Sequence, residues 1–381
     1  MTAGSKAALE RHNSLFSDWE ATLHYERPVA KSEDDLKTLS KARRAAYDRA
    51  RGSFHWDHLH AETFASVELR EAIKRTISDQ LGPWRGKTMF FVEGEAHIGK
   101  SVILRALAVE LWHAYFEPLG YDDDDGHAQH VPVAHVRFRG EPTALQLVRR
   151  LLQLYEWPGW ASVRFDEAID ALEVVVRRHH TVAIIVDEVS FTPNSGPSGR
   201  KMSAHFKSLN NELPVTLIFG GITLQGRGWK DFGNAKDPDR AQITRRSRFF
   251  DVVRYDFTKE DQRRHFITFL NSLEDQLLLS RRRTSRLSAE FGVYIAGRTQ
   301  GHHGAVKALL AGAAARAMAD GSEAISLPHL AATTVATDIT ERRRADWERP
   351  TTRTEALRWC RLGRLVSDAE HHAARVSGSA Q

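Results

Sequence analysis

The stretch Phe91-Val92-Glu93-Gly94-Glu95-Ala96-His97-Ile98-Gly99-Lys100-Ser101 restricts what this chain can fold into more than any other. Gly94, Gly99, Lys100 and Ser101 fill the fixed positions of the pattern G-x-x-x-x-G-K-[ST]. Glycines there let successive backbone N–H groups turn inward around an anion, and the positive end of the following helix adds to the attraction. Lys100 is then placed to reach β- and γ-phosphates, and the Ser101 hydroxyl to hold Mg²⁺. The intervening Glu95, Ala96, His97 and Ile98, with Val102 opening the helix, complete the cradle for ATP. The flanks agree. Residues 88–92 read as a short buried strand and 101–116 as a long apolar-rich helix, so the loop sits between strand and helix as an α/β nucleotide core requires.

Length and charge narrow the class. A chain of 381 residues has room for two or three structural units. The net charge of +5 is mildly basic and permits a nucleic-acid partner without demanding one. The single cysteine, Cys360, excludes an internal disulfide or a cysteine zinc cluster. Residues 1–30 mix acids and bases, and no apolar run reaches the length of a membrane span. The expectation is a soluble, cytoplasmic protein with no membrane partner.

Ahead of the loop, residues 1–31 read as an arm. A helix is expected from the cap Ser32-Glu33-Asp34-Asp35 to Gly52, with Lys41, Arg43, Arg44, Arg49 and Arg51 forming a solvated basic face. His55, His58 and His60 cluster, but without an evident fourth ligand they argue against a metal site. Ser66 is expected to cap a second helix with Leu69, Ile73, Ile77 and Leu81 in a stripe, ended by Gly82-Pro83.

Beyond the loop helix, Asp122 to Asp125 repel one another and mark an exposed loop. Residues 131–138 read as strand two, and Leu145, Val148, Leu152 and Tyr155 give the next helix its apolar face. Another helix follows over 165–179. The apolar run Val182-Ala183-Ile184-Ile185-Val186 reads as a parallel strand buried on both faces, and it ends in Asp187-Glu188. Acids at a strand's carboxyl end lie where such sheets bind ligands. Asp187 would join Ser101 in the Mg²⁺ shell, and Glu188 would align and deprotonate a water. Strand four is expected at 215–219 and strand five at about 252–255. Between them Arg245, Arg246 and Arg248 could serve a neighbouring subunit's γ-phosphate or form a solvated basic patch. Thr258-Lys259-Glu260-Asp261 looks like a capping box opening a helical region, in which Gly304-Ala305-Val306-Lys307 starts a small-residue-rich helix. The expected domains are an arm and helical extension (1–84), an α/β core (85–257), a helical lid (258–340) and a basic tail (341–381).

With these residues placed, the chain resembles the AAA+ ATPases and, within them, the TniB/TnsC-type transposition regulators, over roughly residues 35–330. The marks are the loop Gly94 to Ser101, Asp187-Glu188, Asn210-Asn211-Glu212-Leu213-Pro214-Val215, the segment from Gln242 to Phe249 and Gly301-His302-His303-Gly304-Ala305-Val306-Lys307. The resemblance implies an AAA+ core with a five-stranded parallel sheet in three αβα layers, a helical extension before it and a helical lid after it. It also implies a homo-oligomer, ring or filament, that assembles on double-stranded DNA with ATP, recruits or stimulates a transposase, and is released by hydrolysis. By position, Thr223 falls at sensor 1, Lys307 at sensor 2, and Arg245, Arg246 or Arg248 at the arginine finger. Arg137 and Arg139 after strand two, and Arg200 and Lys201 after the acid pair, fall where a central pore would face DNA. His97-Ile98 replace the small residues usual in this loop, and lysine replaces the usual arginine at sensor 2. The alternative functions are a helicase-loader-like DNA-remodelling ATPase and a signalling or defence ATPase that recruits an effector.

Overall fold

The computed structural model describes residues 15–16, 18–20, 26–82, 86–95, 98–116, 130–140, 143–189, 208–221, 246–283 and 286–335. The aspartate run at 122–125 and the basic tail from 341 lie outside them. In chain order the elements are helices α1 (Glu33–Thr38), α2 (Lys41–Ser53) and α3 (Phe64–Asp79), strand β1 (Met89–Gly94), helix α4 (Lys100–Phe116), strand β2 (Val133–Gly140), helices α5 (Ala144–Leu154) and α6 (Phe165–Arg178), strands β3 (Ala183–Val189), β4 (Thr216–Gly221) and β5 (Ser247–Val252), and helices α7 (Glu260–Gln276), α8 (Arg286–Thr299), α9 (His303–Ala319) and α10 (Leu327–Ala332).

These elements form two compact units, one of Met1–His24 with Ala65–Val252 and the other of Tyr25–Phe64 with Val253–Gln381. The segment expected as one N-terminal extension is therefore divided. Residues 25–64 pack with the C-terminal helices, whereas α3 and the arm residue Phe16 go with the sheet.

The first unit is a five-stranded parallel sheet in the order β2-β3-β4-β1-β5. Alternate residues of each strand point to opposite faces, and both faces are covered. Phe91, Val136, Ile184, Val186, Leu217 and Phe219 meet α5 and α6 on one side. Phe90, Val92, Val133, Ile185 and Ile218 meet α3 and α4 on the other. This is the three-layer αβα arrangement implied by the resemblance. Phe16, from the N-terminal arm, is also buried in the second of these clusters, its ring stacked on Trp112 at 5.9 Å.

Local details depart from the expected boundaries. Ser32 and Asp35 make a reciprocal capping box, but the helix leaves αR at Leu39 (φ −69°, ψ 134°) and Ser40 caps a new one. Two helices thus replace the single one expected over 32–52, because a serine side chain competes for backbone N–H groups and favours a cap over a helix interior. Ser66 is not a cap; it is buried inside α3. Strand five runs over Ser247–Val252, upstream of the expected 252–255, and Val253 is 61% exposed. Thr258 donates its hydroxyl to Asp256 at 2.6 Å, while α7 is entered at Lys259 without a side-chain cap.

Among the described residues the second unit is helical. Its core joins α7, α8, α9 and α10 with Leu59. Gly312 of α9 is required by close approach, since a Cβ there would lie 2.5 Å from Thr333. Arg51 of α2 is fully buried. Its guanidinium donates two 2.7 Å bonds to Glu323 and one of 2.9 Å to the Leu278 carbonyl. This fork-to-fork pair ties residues 25–64 to the later helices. His55 adds to the tie by accepting the Leu278 N–H at 2.9 Å, and burial lowers its pKa to about 4.

Glu274 of α7 is buried and accepts the Leu287 N–H on both carboxylate oxygens at 3.1 Å. Burial outweighs that hydrogen bond and pushes its pKa up to about 8. A folded-state carboxyl raised above its unfolded value near 4.3 holds a proton that the unfolded chain has lost, so stability falls as pH rises between about 4 and 8. Glu274→Gln should flatten this decline. Urea denaturation at about pH 5 and pH 9 checks it, with a higher alkaline midpoint for the variant than for the wild type.

Candidate nucleotide site

The loop after β1 leaves the sheet between two parallel neighbours, β4 and β5. Gly94 must be glycine, because a Cβ there would stand 2.4 Å from the Val252 carbonyl oxygen and 2.9 Å from Ile98. Gly99 has φ +105°, a left-handed conformation that glycine adopts without steric cost. Its carbonyl accepts the N–H groups of Val102 and Ile103 at 3.0 and 3.1 Å and starts α4. Lys100 is 9% exposed, and its ammonium donates to the carbonyls of Gly94 at 2.8 Å and Glu95 at 2.6 Å. Burial lowers its pKa, while the charges of Asp187 and Glu95 oppose that shift. Ala96 and His97 lie outside the described residues.

Asp187 completes the arrangement from the carboxyl end of β3. It is 1% exposed, and its Oδ1 accepts the Glu188 N–H at 2.8 Å. Its Oδ2 is buried without a hydrogen-bond partner among the described residues. Gly220 of β4 leaves the room, since a Cβ there would lie 3.2 Å from Asp187 Oδ1 and 2.3 Å from Leu104. A buried anionic oxygen without a donor, a serine hydroxyl at Ser101 and a lysine held by carbonyls form a donor set of the oxygen type that Mg²⁺ takes, beside a cation suited to phosphate. The residues present therefore fit Mg²⁺–ATP. Ser101 and Asp187 would hold the metal, and Lys100 with the loop amides would hold the phosphates.

Glu188 follows with φ +61°, in the left-handed region. Its carboxylate forms an ion pair with Arg137 of β2, and both side chains are about half exposed. The pairing of Arg137 with Asp187 across β2 and β3 brings this about, together with a register shift just beyond it. Arg137, expected among the DNA-facing cations, is thus engaged with the candidate base. This is the link that reading each strand separately misses. Arg139 lies in β2 with its side chain outside the described residues, as are Arg200, Lys201, Thr223 and Arg245 altogether.

Arg246 and Arg248 stand at the amino-terminal end of β5. Arg248 is level with Phe90, and Val252 with Gly94, so the strand carries Arg248 roughly 13 Å and Arg246 roughly 20 Å from the loop. Arg246 donates to Asn211 at 2.9 Å and Arg248 to Thr76 at 3.2 Å. Within one subunit they do not join Lys100 and Asp187. Lys307 lies on α9 of the second unit, donating to the Asp57 carbonyl at 3.2 Å, with its pKa lowered by burial. Among the described residues no cluster of histidines, cysteines and acids could hold a metal by itself, the histidines around Trp56 included. None of the described helices is long and apolar enough to cross a membrane.

Comparison with known proteins follows the same lines. Residues 56–227 match the family model of the bacterial TniB protein. No curated protein matches the chain. Among solved structures, the chain is similar to the ORC2 protein of Aeropyrum pernix in ADPNP–ADP complexes, at 14% identity and a TM-score of 0.50, over 77% of this chain and 74% of that one. It is also similar to the ORC1 protein of the same organism in complex with DNA, at 17% identity and a TM-score of 0.46, over 78% and 69%. At such identities the ORC2 likeness carries the fold and nothing more. The chain therefore has an α/β fold like that of the ORC2 protein, and its residues 56–227 match the TniB model.

Proposed function

We propose that this protein is an ATP-dependent, DNA-binding regulator of transposition. It oligomerises on duplex DNA with ATP, recruits or stimulates a transposase at the target, and is released by hydrolysis. The observation that carries the nucleotide half is the buried oxygen of Asp187, without a partner among the described residues, at the carboxyl end of β3, whose charge acts on the ammonium of Lys100 in the loop after β1. The TniB match supports the transposition half.

Bound Mg²⁺–ATP supplies an electrophilic γ-phosphoryl group whose charge the metal spreads. The chain's own residues do the rest. Lys100 exchanges two carbonyl partners for phosphate oxygens, which desolvation of its ammonium favours. Ser101 and Asp187 orient the metal. Glu188 is the carboxylate next to Asp187 at this strand end, and it takes the proton from an attacking water. Arg137 competes with that water for the carboxylate, so their solvent-exposed ion pair opens as the water is activated. Arg246 and Arg248, at the opposite end of β5 from their own loop, with Arg245 beside them in sequence, would act as charge-stabilising groups for a neighbouring subunit after leaving Asn211 and Thr76.

Three variants test this reading. Lys100→Ala should lose binding of a fluorescent ATP analogue, and undiminished binding would sink the site. Glu188→Gln should bind the analogue as the wild type does, yet hydrolyse ATP about a hundredfold or more slowly, the usual worth of a positioned base. Wild-type turnover would remove Glu188 from the mechanism. Arg137→Ala should raise DNA-independent turnover severalfold in a phosphate-release assay, whereas unchanged turnover would show that the ion pair restrains nothing.

A further inference from the structure

The second unit carries cations that the nucleotide site does not use. The connection from α7 to α8 places Arg281, Arg282, Arg283 and Arg286 around a shallow open cleft with Glu274 at its side. Three of these arginines have carboxylate partners. Arg281 is held bidentately by Glu33 at 2.8 Å, Arg282 by Asp275 at 2.6 Å, and Arg286 by Glu290 at 2.8 Å. Arg283 is exposed, and its guanidinium has no partner among the described residues. The start of α2 meets the same place. Glu323 accepts the Arg281 N–H on its carbonyl at 3.0 Å and the Arg44 guanidinium on its carboxylate. Lys41 lies one turn before Arg44 on the same helix stripe, exposed and likewise without a carboxylate partner among the described residues.

We propose that this cleft and Lys41 form a contact surface for the sugar–phosphate backbone of duplex DNA, separate from the nucleotide site. The inference rests on the DNA-binding reading above and adds the surface that reading lacked. Arg283 and Lys41 are uncompensated. The Arg281–Glu33 pair is exposed on both sides, at 56% and 39%, so solvent screens it and a phosphate can displace the carboxylate. Guanidinium forks suit phosphate oxygens bidentately. An acidic protein would need an apolar anchor pocket as well. Leu277, Leu279 and Leu287, which line the cleft, are 7% exposed or less and offer none. Backbone contacts require only cations and confer no sequence preference.

The test is fluorescence anisotropy of a labelled random-sequence duplex across a salt series, with a non-hydrolysable ATP analogue present. Each phosphate-contacting cation adds close to one unit to the slope of log affinity against log salt. The Lys41→Ala/Arg283→Ala double variant should therefore bind more weakly with a slope shallower by about two units, while keeping wild-type affinity for the ATP analogue and an unchanged thermal melt. Glu33→Gln, which frees Arg281, should bind more tightly. If the wild type itself fails to bind duplex, the DNA reading falls and this surface with it. If the wild type binds and the double variant keeps its slope, the surface is overturned while the DNA reading stands. A double variant that keeps its DNA slope but loses binding to poly-glutamate would overturn it in favour of an acidic protein partner, and so would Glu33→Gln binding no tighter than wild type.

Discussion

A carboxylate oxygen kept out of water without a donor is a standing cost of about 1–3 kcal/mol. Asp187 Oδ2, without a partner among the described residues, carries that cost in the first unit, and the neighbouring elements are arranged around it. The parallel order sets β3 one strand away from β1 across β4. Gly220 of β4 gives the carboxylate its space, and the charge of Asp187 opposes the desolvation of Lys100. The next residue, Glu188, adds a left-handed backbone conformation. Backbone strain beside an unsatisfied buried group, at the carboxyl end of a parallel sheet, is concentrated where function resides. A ligand that supplies a cation to Asp187 and oxygens to Lys100 relieves the unmet polar demand.

The second unit depends on a different pair. Arg51 and Glu323 are both buried, and because Asp48 also pairs with Arg51 and Arg44 with Glu323, removing either member costs less than the about 3–5 kcal/mol of a wholly unpaired buried charge. Their 272-residue separation makes α2 part of a unit that sequence order alone assigns elsewhere. The same carboxylate and its backbone fix the loop that carries Arg281, so the residues that stabilise this unit also place its surface cations.

What could be read from the residues was local. The phosphate loop, its strand and helix, and the acids at the end of β3 are contiguous patterns, and each lies where periodicity and motif put it. What could not be read was relational. The Arg137–Glu188 pair needs the register of β2 against β3, which no stretch of sequence states by itself. Periodicity puts β5 too late in the chain because Val252-Val253 looks like a strand centre. An edge strand is half exposed, and the true segment alternates Arg248 and Asp251 with Phe249 and Phe250, an irregular pattern for a buried run. The break at Leu39-Ser40 turned on one serine choosing a cap over a helix interior.

The central claim is that nucleotide state governs assembly on DNA. Negative-stain imaging of the wild-type chain with a random duplex, in a non-hydrolysable ATP analogue and separately in ADP, addresses it most directly. Ordered oligomers along the duplex with the analogue, and their absence with ADP, are the predicted result. Isolated subunits in both conditions, or the same oligomers in both, would contradict it.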